Sequence, residues 1–310
     1  MGRRACSRPP ILPCRPAVTV MAELLQFLFS GLTVGAVYAL VALGFTLIYN
    51  ASDVINFAQG EFVMIGGMTS VFLVAAGVPL PLAALVAILA AMVVGVGLHK
   101  LAIEPAKGAT IIGIIIITIG ASIFLRGMAS IVFDKQFHRL PAFTSEIPII
   151  VGGAVILPQS FWVIGGGAVI LVLMWLFLSR TVLGKAMLAT SANRLAALLV
   201  GINTRMIVTL SFAVSAAIGA IAGILVTPIT LTSYDIGVLM ALKGFAAAML
   251  GGMGNPLGAV VGGLLVGLFE ALGAGYISSD YKDAIAFIII LAVLMFMPNG
   301  LFGRPGVERV

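Results

Sequence analysis

The sequence is poor in charge: only 9% of its 310 residues are Asp, Glu, Lys or Arg, while 61% are hydrophobic. A soluble globule with that balance would lack the polar side chains to cover its surface, so the composition calls for lipid as the solvent. Histidine is scarce, with His99 and His138 the two in the chain and no metal-ligand spacing around either. Cysteine is confined to Cys6 and Cys14, which leaves everything after them without a disulfide framework or a thiol nucleophile. Neither a nucleophile elbow nor a GxxxxGK[ST] phosphate loop is present, so no ATP-hydrolysing site is written into this chain and a membrane-embedded enzyme is disfavoured. The net charge of +6 is read loop by loop as an orientation signal and implies no nucleic acid.

What the chain does have is room. A bilayer core of about 30 Å needs roughly 20 apolar residues per helix, so the length admits about eight or nine spans. Uncharged stretches mark them: 24–49, 62–98 divided at 77–81, 108–125, 147–179, 206–233, 244–269 and 284–303. The 147–179 stretch is too long for one span and holds Pro148, Gly152, Gly153 and Pro158, which predicts an external extended segment followed by a helix from about Phe161. The fold class expected is all-α, a polytopic integral membrane protein.

The first 20 residues differ in kind from the rest. They hold Arg3, Arg4, Arg8 and Arg15, four prolines, and no apolar run long enough for a signal-peptide core. Met21 opens MAELLQFLFSGL, a natural start before a first span, so 1–20 are expected to be an extension from an upstream initiation codon. Residues 21–303 would form the membrane domain and 304–310 a cytoplasmic tail. Without those four arginines, the 17 basic residues fall to 13 against 11 acids.

Arg180, Lys185, Arg194 and Arg205 lie in one loop with no acid among them, and His99, Lys100 and Lys107 crowd another. The excess of Lys and Arg places both loops in the cytoplasm. The mixed 134–146 loop and the 276–283 loop, which carries the acids Asp280 and Asp283, then fall outside, the tail inside, and Met21 outside.

The 181–203 stretch, TVLGKAMLATSANRLAALLVGIN, lies between two spans and reads as two short helices. Asn193 is suited to N-cap the second, Leu195, Leu198, Leu199 and Ile202 fall at i, i+3, i+4 and i+7, and Gly201 is placed to end it. Such a helix lies on lipid headgroups or docks in a partner's groove, and periodicity favours neither. The few cations, Lys185 and Arg194, and the Ala-rich face from Ala186 to Ala197 lean towards a protein partner.

Four segments carry a family resemblance: ALVALGFTLIYNASDVINFAQGEFVMIGG, the loop just described, LKGFAAAMLGGMGNPLGAVVGGLLVGLFEAL, and YKDAIAFIIILAVLMFMPNGLFG. From about Met21 to Gly303 the chain resembles the permease subunits of branched-chain amino-acid ABC importers, the smaller of the two paired subunits. The resemblance implies a bacterial inner-membrane protein that pairs with a second permease subunit, two cytoplasmic ATPase subunits and a periplasmic substrate-binding protein. It implies no cofactor on this chain, with ATP on the partner ATPases. The coupling element would be the loop bearing Gly184, Lys185, Ala189, Asn193, Arg194, Ala196, Ala197, Gly201 and Ile202. Family members usually carry a basic residue near Leu188 and an acidic one near Leu195, and this chain has leucine at both.

Polar residues at membrane depth are the remaining signal. Asn56, Gln59 and Glu61 stand at the entry to a hydrophobic run, where burial is costly unless they face protein or water. They read either as a pathway or as an interfacial helix start, with Asn56 as cap and Asp53 and Glu61 at the cytoplasmic surface. NFAQGE follows the family's NFAHGE pattern with Gln59 in place of His, which favours the pathway. Lys243, Gly244, Gly251, Gly252, Gly254, Asn255 and Pro256 interrupt a second apolar run, and two interrupted segments resemble the broken helices of transporters. Lys243 joins the pathway candidates. Gly262, Gly263 and Gly267 with Ala259 are assigned to helix packing, and Arg126 and Glu270 to span ends. Two other readings stay open: a related ABC permease for urea or short amides, and an ion-coupled carrier using Glu61.

Overall fold

The computed structural model describes residues 17–106, 108–144, 147–151, 153–297 and 299–303. In lipid every backbone N–H and C=O must be satisfied internally, so the apolar runs can only become helices. They do so as α1 (Ala17–Ser52), α2 (Gln59–Ala75), α3 (Leu80–Gly97), α4 (Ile111–Val132), α5 (Pro158–Arg180), α6 (Val182–Ala192), α7 (Arg194–Leu199), α8 (Thr204–Thr230), α9 (Ile236–Gly251), α10 (Pro256–Tyr276) and α11 (Lys282–Phe296). A π-helical turn, Leu98–Ile103, extends α3. The external extended segment is a small antiparallel hairpin, β1 (Ile149–Val151) and β2 (Ala154–Ile156).

Among the described residues, six helices are long and apolar enough to cross a membrane, α3 counting with its π-helical turn. The apolar α2, α9 and α11 are shorter, with 17, 16 and 15 residues. The chain is thus a multi-pass membrane protein. α1 reaches back to Ala17, inside the segment expected to be an extension; residues 1–16 and the 304–310 tail lie outside the described residues.

Helix α1 is the central post, packed against α10, α8, α9 and α5. Its approach to α10 depends on small residues: a Cβ at Gly263 would collide with Ala39, and one at Gly267 with the backbone of Gly35. Gly262 packs as closely on Ala247, so these glycines act in helix packing. The outer faces of α3, α4 and α5 carry exposed leucine, isoleucine and tryptophan, as lipid-facing helices do.

The interruption expected in the 244–269 run falls at its later glycines: α9 ends at Gly251 and α10 begins at Pro256, with Gly252 and Gly254 at positive φ in the turn between them. One expectation is corrected: Lys243 and Gly244 do not interrupt a helix, since α9 runs straight through them. Its break lies upstream, where α8 ends at Thr230, its cap residue Leu231 takes φ 64°, and residues 232–235 lead to α9.

Candidate functional site

The 181–203 loop folds as two capped helices clamped to the spans on either side. Thr181 ends α5, and its Oγ1 accepts from the Gly184 N–H at 2.9 Å to cap α6. Gly184 is buried, and a Cβ there would run into the Phe177 carbonyl oxygen and lie 2.6 Å from Leu178 Cα, so only glycine lets α6 fold back on α5. Asn193 caps α7 by accepting from the Ala196 N–H at 3.0 Å, and Asn203 caps α8 by accepting from Met206 at 3.2 Å. At the end of α7, Gly201 takes φ +87°, its N–H bonds the Leu198 carbonyl and the Ile202 N–H bonds the Ala197 carbonyl, both at 3.0 Å. This paired 6→1 and 5→2 closure satisfies the last carbonyls of α7.

Ala197 and Met187 are buried beneath the loop, and Lys185, Ala189, Asn193, Arg194, Ala196 and Gly201 are exposed. The apolar stripe differs from expectation. Leu195 and Leu199 are 74% and 88% exposed, and Leu188, Leu198 and Val200 also face outward, while half-buried Ile202 lies past the end of α7 and packs on the core. The loop therefore offers an uncovered leucine surface between two rigid attachments.

The polar residues of the membrane domain form three buried groups. In the first, Gln59 donates from Nε2 to the Ser215 carbonyl at 3.3 Å, and Ser215 Oγ lies 2.7 Å from Gln59 Oε1 and 2.9 Å from the Gly44 carbonyl oxygen. Gly44 stands eight residues before the end of α1, so α2 begins about 12 Å below the level of Ser52 at 1.5 Å per residue. The chain turns back at Asp53, φ 56°, and re-enters the protein before helix resumes.

The second group lies where α2 and α9 meet at their N-terminal turns: a Cβ at Gly60 would collide with the Gly237 carbonyl oxygen. Beside that contact Glu61 accepts from Ser122 Oγ at 2.7 Å, with Arg126 Nε 3.5 Å away, and its other carboxylate oxygen faces Gly237. Glu61 is fully buried, so the interfacial reading of this residue is wrong. Asn56 is buried too and does not cap α2; its Oδ1 accepts from the Ala58 N–H at 3.1 Å, closing the re-entrant turn.

In the third group Lys243 Nζ donates to Glu270 Oε1 at 2.8 Å and lies 2.5 Å from Asp283 Oδ1, and the Tyr38 hydroxyl donates to Glu270 Oε2 at 2.9 Å. Arg126 and Glu270, expected at span ends, instead complete the ion pairs of Glu61 and Lys243. The signal available in the sequence was a basic and an acidic residue stranded in apolar runs. Which partner each would find depends on neighbouring helices, so sequence spacing was silent.

The profile of the family described as "Branched-chain amino acid transport system / permease component" matches residues 27–294. The high-affinity branched-chain amino acid transport system permease protein LivH of Escherichia coli K12 is 34% identical over 303 residues, spanning 92% of this chain and 97% of its own length. BraD of Pseudomonas aeruginosa, another permease protein of such a system, is 35% identical over 300 residues, spanning 92% and 98%. More distantly, the ribose import permease protein RbsC of E. coli is 27% identical over 282 residues, 86% of this chain and 84% of its own. With broken helices, a clamped loop and a match across nearly its whole length, this chain belongs to the branched-chain amino-acid transport permease family.

Proposed function

We propose that this chain is the inner-membrane permease subunit of an ATP-binding-cassette importer for branched-chain or related hydrophobic amino acids, driven by separate cytoplasmic ATPase subunits. The observation that carries the reading is the clamped 181–203 loop with its outward leucines. A soluble face of exposed leucine is costly unless a partner covers it. The partner is a cleft in the ATPase, the remaining subunits being a second permease and a periplasmic binding protein. The chain performs no covalent chemistry and holds no cofactor; ATP binds the partners.

The geometry suggests how force would travel. Closure of the ATPase pair displaces α6 and α7, and the Gly184 contact and the Asn203 cap hand that displacement to α5 and α8. On α8, Ser215 grips Gln59 at the start of α2, so moving α8 acts on the meeting point of α2 and α9. Two arrangements of that junction would alternate access, with ATP biasing the population between them. Asn56, Gln59, Glu61 and Lys243 are the polar groups the pathway would uncover as the broken helices part.

The test is uptake of radiolabelled leucine into vesicles carrying the chain with its genomic neighbours, with urea and ribose as controls. Leucine uptake that needs internal ATP, a binding protein and an intact 184–202 loop supports the reading. Uptake of urea or ribose in place of leucine replaces the substrate and keeps the mechanism. Uptake that follows an ion gradient and ignores loop disruption sinks it.

A further inference from the structure

A cavity of about 270 Å³ lies at the cytoplasmic end of the bundle, where α1, the π-helical turn, α4, α7 and α8 come together. Its polar lining comprises Ser52, His99, Glu104, Arg194 and Arg205. Arg205 is paired with Glu104, and the Thr209 hydroxyl lies 3.0 Å from His99 Nδ1. Among the described residues no carboxylate pairs with Arg194. The cavity therefore holds two guanidiniums against one carboxylate, with an imidazole beside them. The coupling loop reading does not use this imbalance, since its surface is the leucines.

The rest of the lining is apolar, with Ile103 and Ile114 among it, and Leu101, Ile111 and Ile112 are exposed close by in sequence. A cationic recess where helices leave the bilayer, flanked by lipid-facing isoleucine and leucine, matches a molecule with an anionic head and apolar tails. A guanidinium presents paired donors that fit two phosphate oxygens, which a bare point charge does not.

We propose that this cavity is a phosphate-binding site, filled by the headgroup of an anionic phospholipid that Arg194 and Arg205 hold at the joint between the coupling loop and the α3–α4 turn. The lipid would brace the loop against the bundle. The same chemistry fits a free phosphate, and the apolar flank favours the lipid.

The experiment takes the purified full chain in neutral-detergent micelles and counts bound lipid by native mass spectrometry during titration with phosphatidylglycerol or phosphatidylcholine. The unmodified chain should bind its first phosphatidylglycerol more tightly than phosphatidylcholine, and equal binding overturns the proposal without any variant. Arg194→Gln should weaken phosphatidylglycerol about fivefold, the worth of one cation near an anionic lipid. Arg194→Lys should restore only part of that binding, because an ammonium keeps the charge and loses the paired donors, and Arg180→Gln, at the same face but outside the cavity, should change nothing. Equal loss in Arg180→Gln reduces the effect to general surface charge and overturns the site. Displacement by millimolar inorganic phosphate supports the chemistry and assigns the site to the free anion; retention of lipid supports the headgroup. Unchanged lipid binding in Arg194→Gln, with weaker ATPase binding, overturns the proposal in favour of an acidic protein partner.

Discussion

Lys243 on α9 and Glu270 on α10 meet at 2.8 Å inside the protein, and the Tyr38 hydroxyl of α1 completes the carboxylate's shell. Helices α1, α9 and α10 are thereby joined at one point by charge, and Asp283 of α11 reaches the same ammonium. Breaking a buried pair on one side leaves an uncompensated charge, at a cost of about 3–5 kcal/mol. Lys243→Met should therefore lower the melting temperature in detergent sharply, and adding Glu270→Leu should recover most of the loss. A double variant as unstable as the single would refute the pairing as the cause.

Gly184 has no room for a methyl group beside the Phe177 carbonyl. Gly184→Val should leave the membrane bundle folded, because the collision is confined to the α5–α6 joint, while ATP-dependent uptake falls at least tenfold. Uptake within twofold of the parent chain would show that the joint does not carry the coupling.

Asn193 supplies the cap that fixes where α7 starts. Replacing an N-cap Asn by Ala costs about 1 kcal/mol, so Asn193→Ala should speed hydrogen exchange at the Ala196 amide about fivefold and leave α8 unchanged. Spread of the effect into α8 would mean the loop and span unfold as one unit.

The junction of α2 and α9 depends on Gly60 facing Gly237. Gly60→Ala should force the two helix starts apart and abolish uptake while the chain still reaches the membrane, read by cross-linking across the contact. Normal uptake would remove this junction from the mechanism.

In the loop after α4, Asp134 accepts from the Gln136 N–H at 2.7 Å and lies 3.0 Å from His138 Nε2. The Gln136 and His138 contacts hold its carboxyl below the usual carboxylate value. A depressed folded-state value means the loop's support is present above the ordinary carboxylate range near pH 4 and lost as pH falls through the lowered value. Exchange at the Gln136 amide, corrected for intrinsic rate, should rise only on that acid side, and Asp134→Asn should show the faster exchange at neutral pH. Equal protection in both chains would rule the carboxylate out.

The 181–203 loop was legible because caps and stops are local. Asn193 and Gly201 do their work within a few residues of themselves, so their types alone placed the start and end of α7. The same locality explains the error at Ile202: a leucine repeat does not reveal that the helix stops at Leu199. Glu61 was misplaced for the opposite reason. Its depth follows from a re-entrant turn at Asp53 and from Ser122 and Arg126 on α4, some sixty residues away in the chain.

The amino-acid sequence by itself determined that the chain spans a membrane many times, because lipid leaves long uncharged runs no alternative to helix. It also placed the cap and the stop of α7, at Asn193 and Gly201. Only the tertiary structure decided which buried charges pair, that α2 and α9 start inside the protein against each other, and that Arg194 overlooks a cationic recess. Those outcomes rest on side chains from separate helices reaching one point, and such convergence has no period or motif in the linear chain.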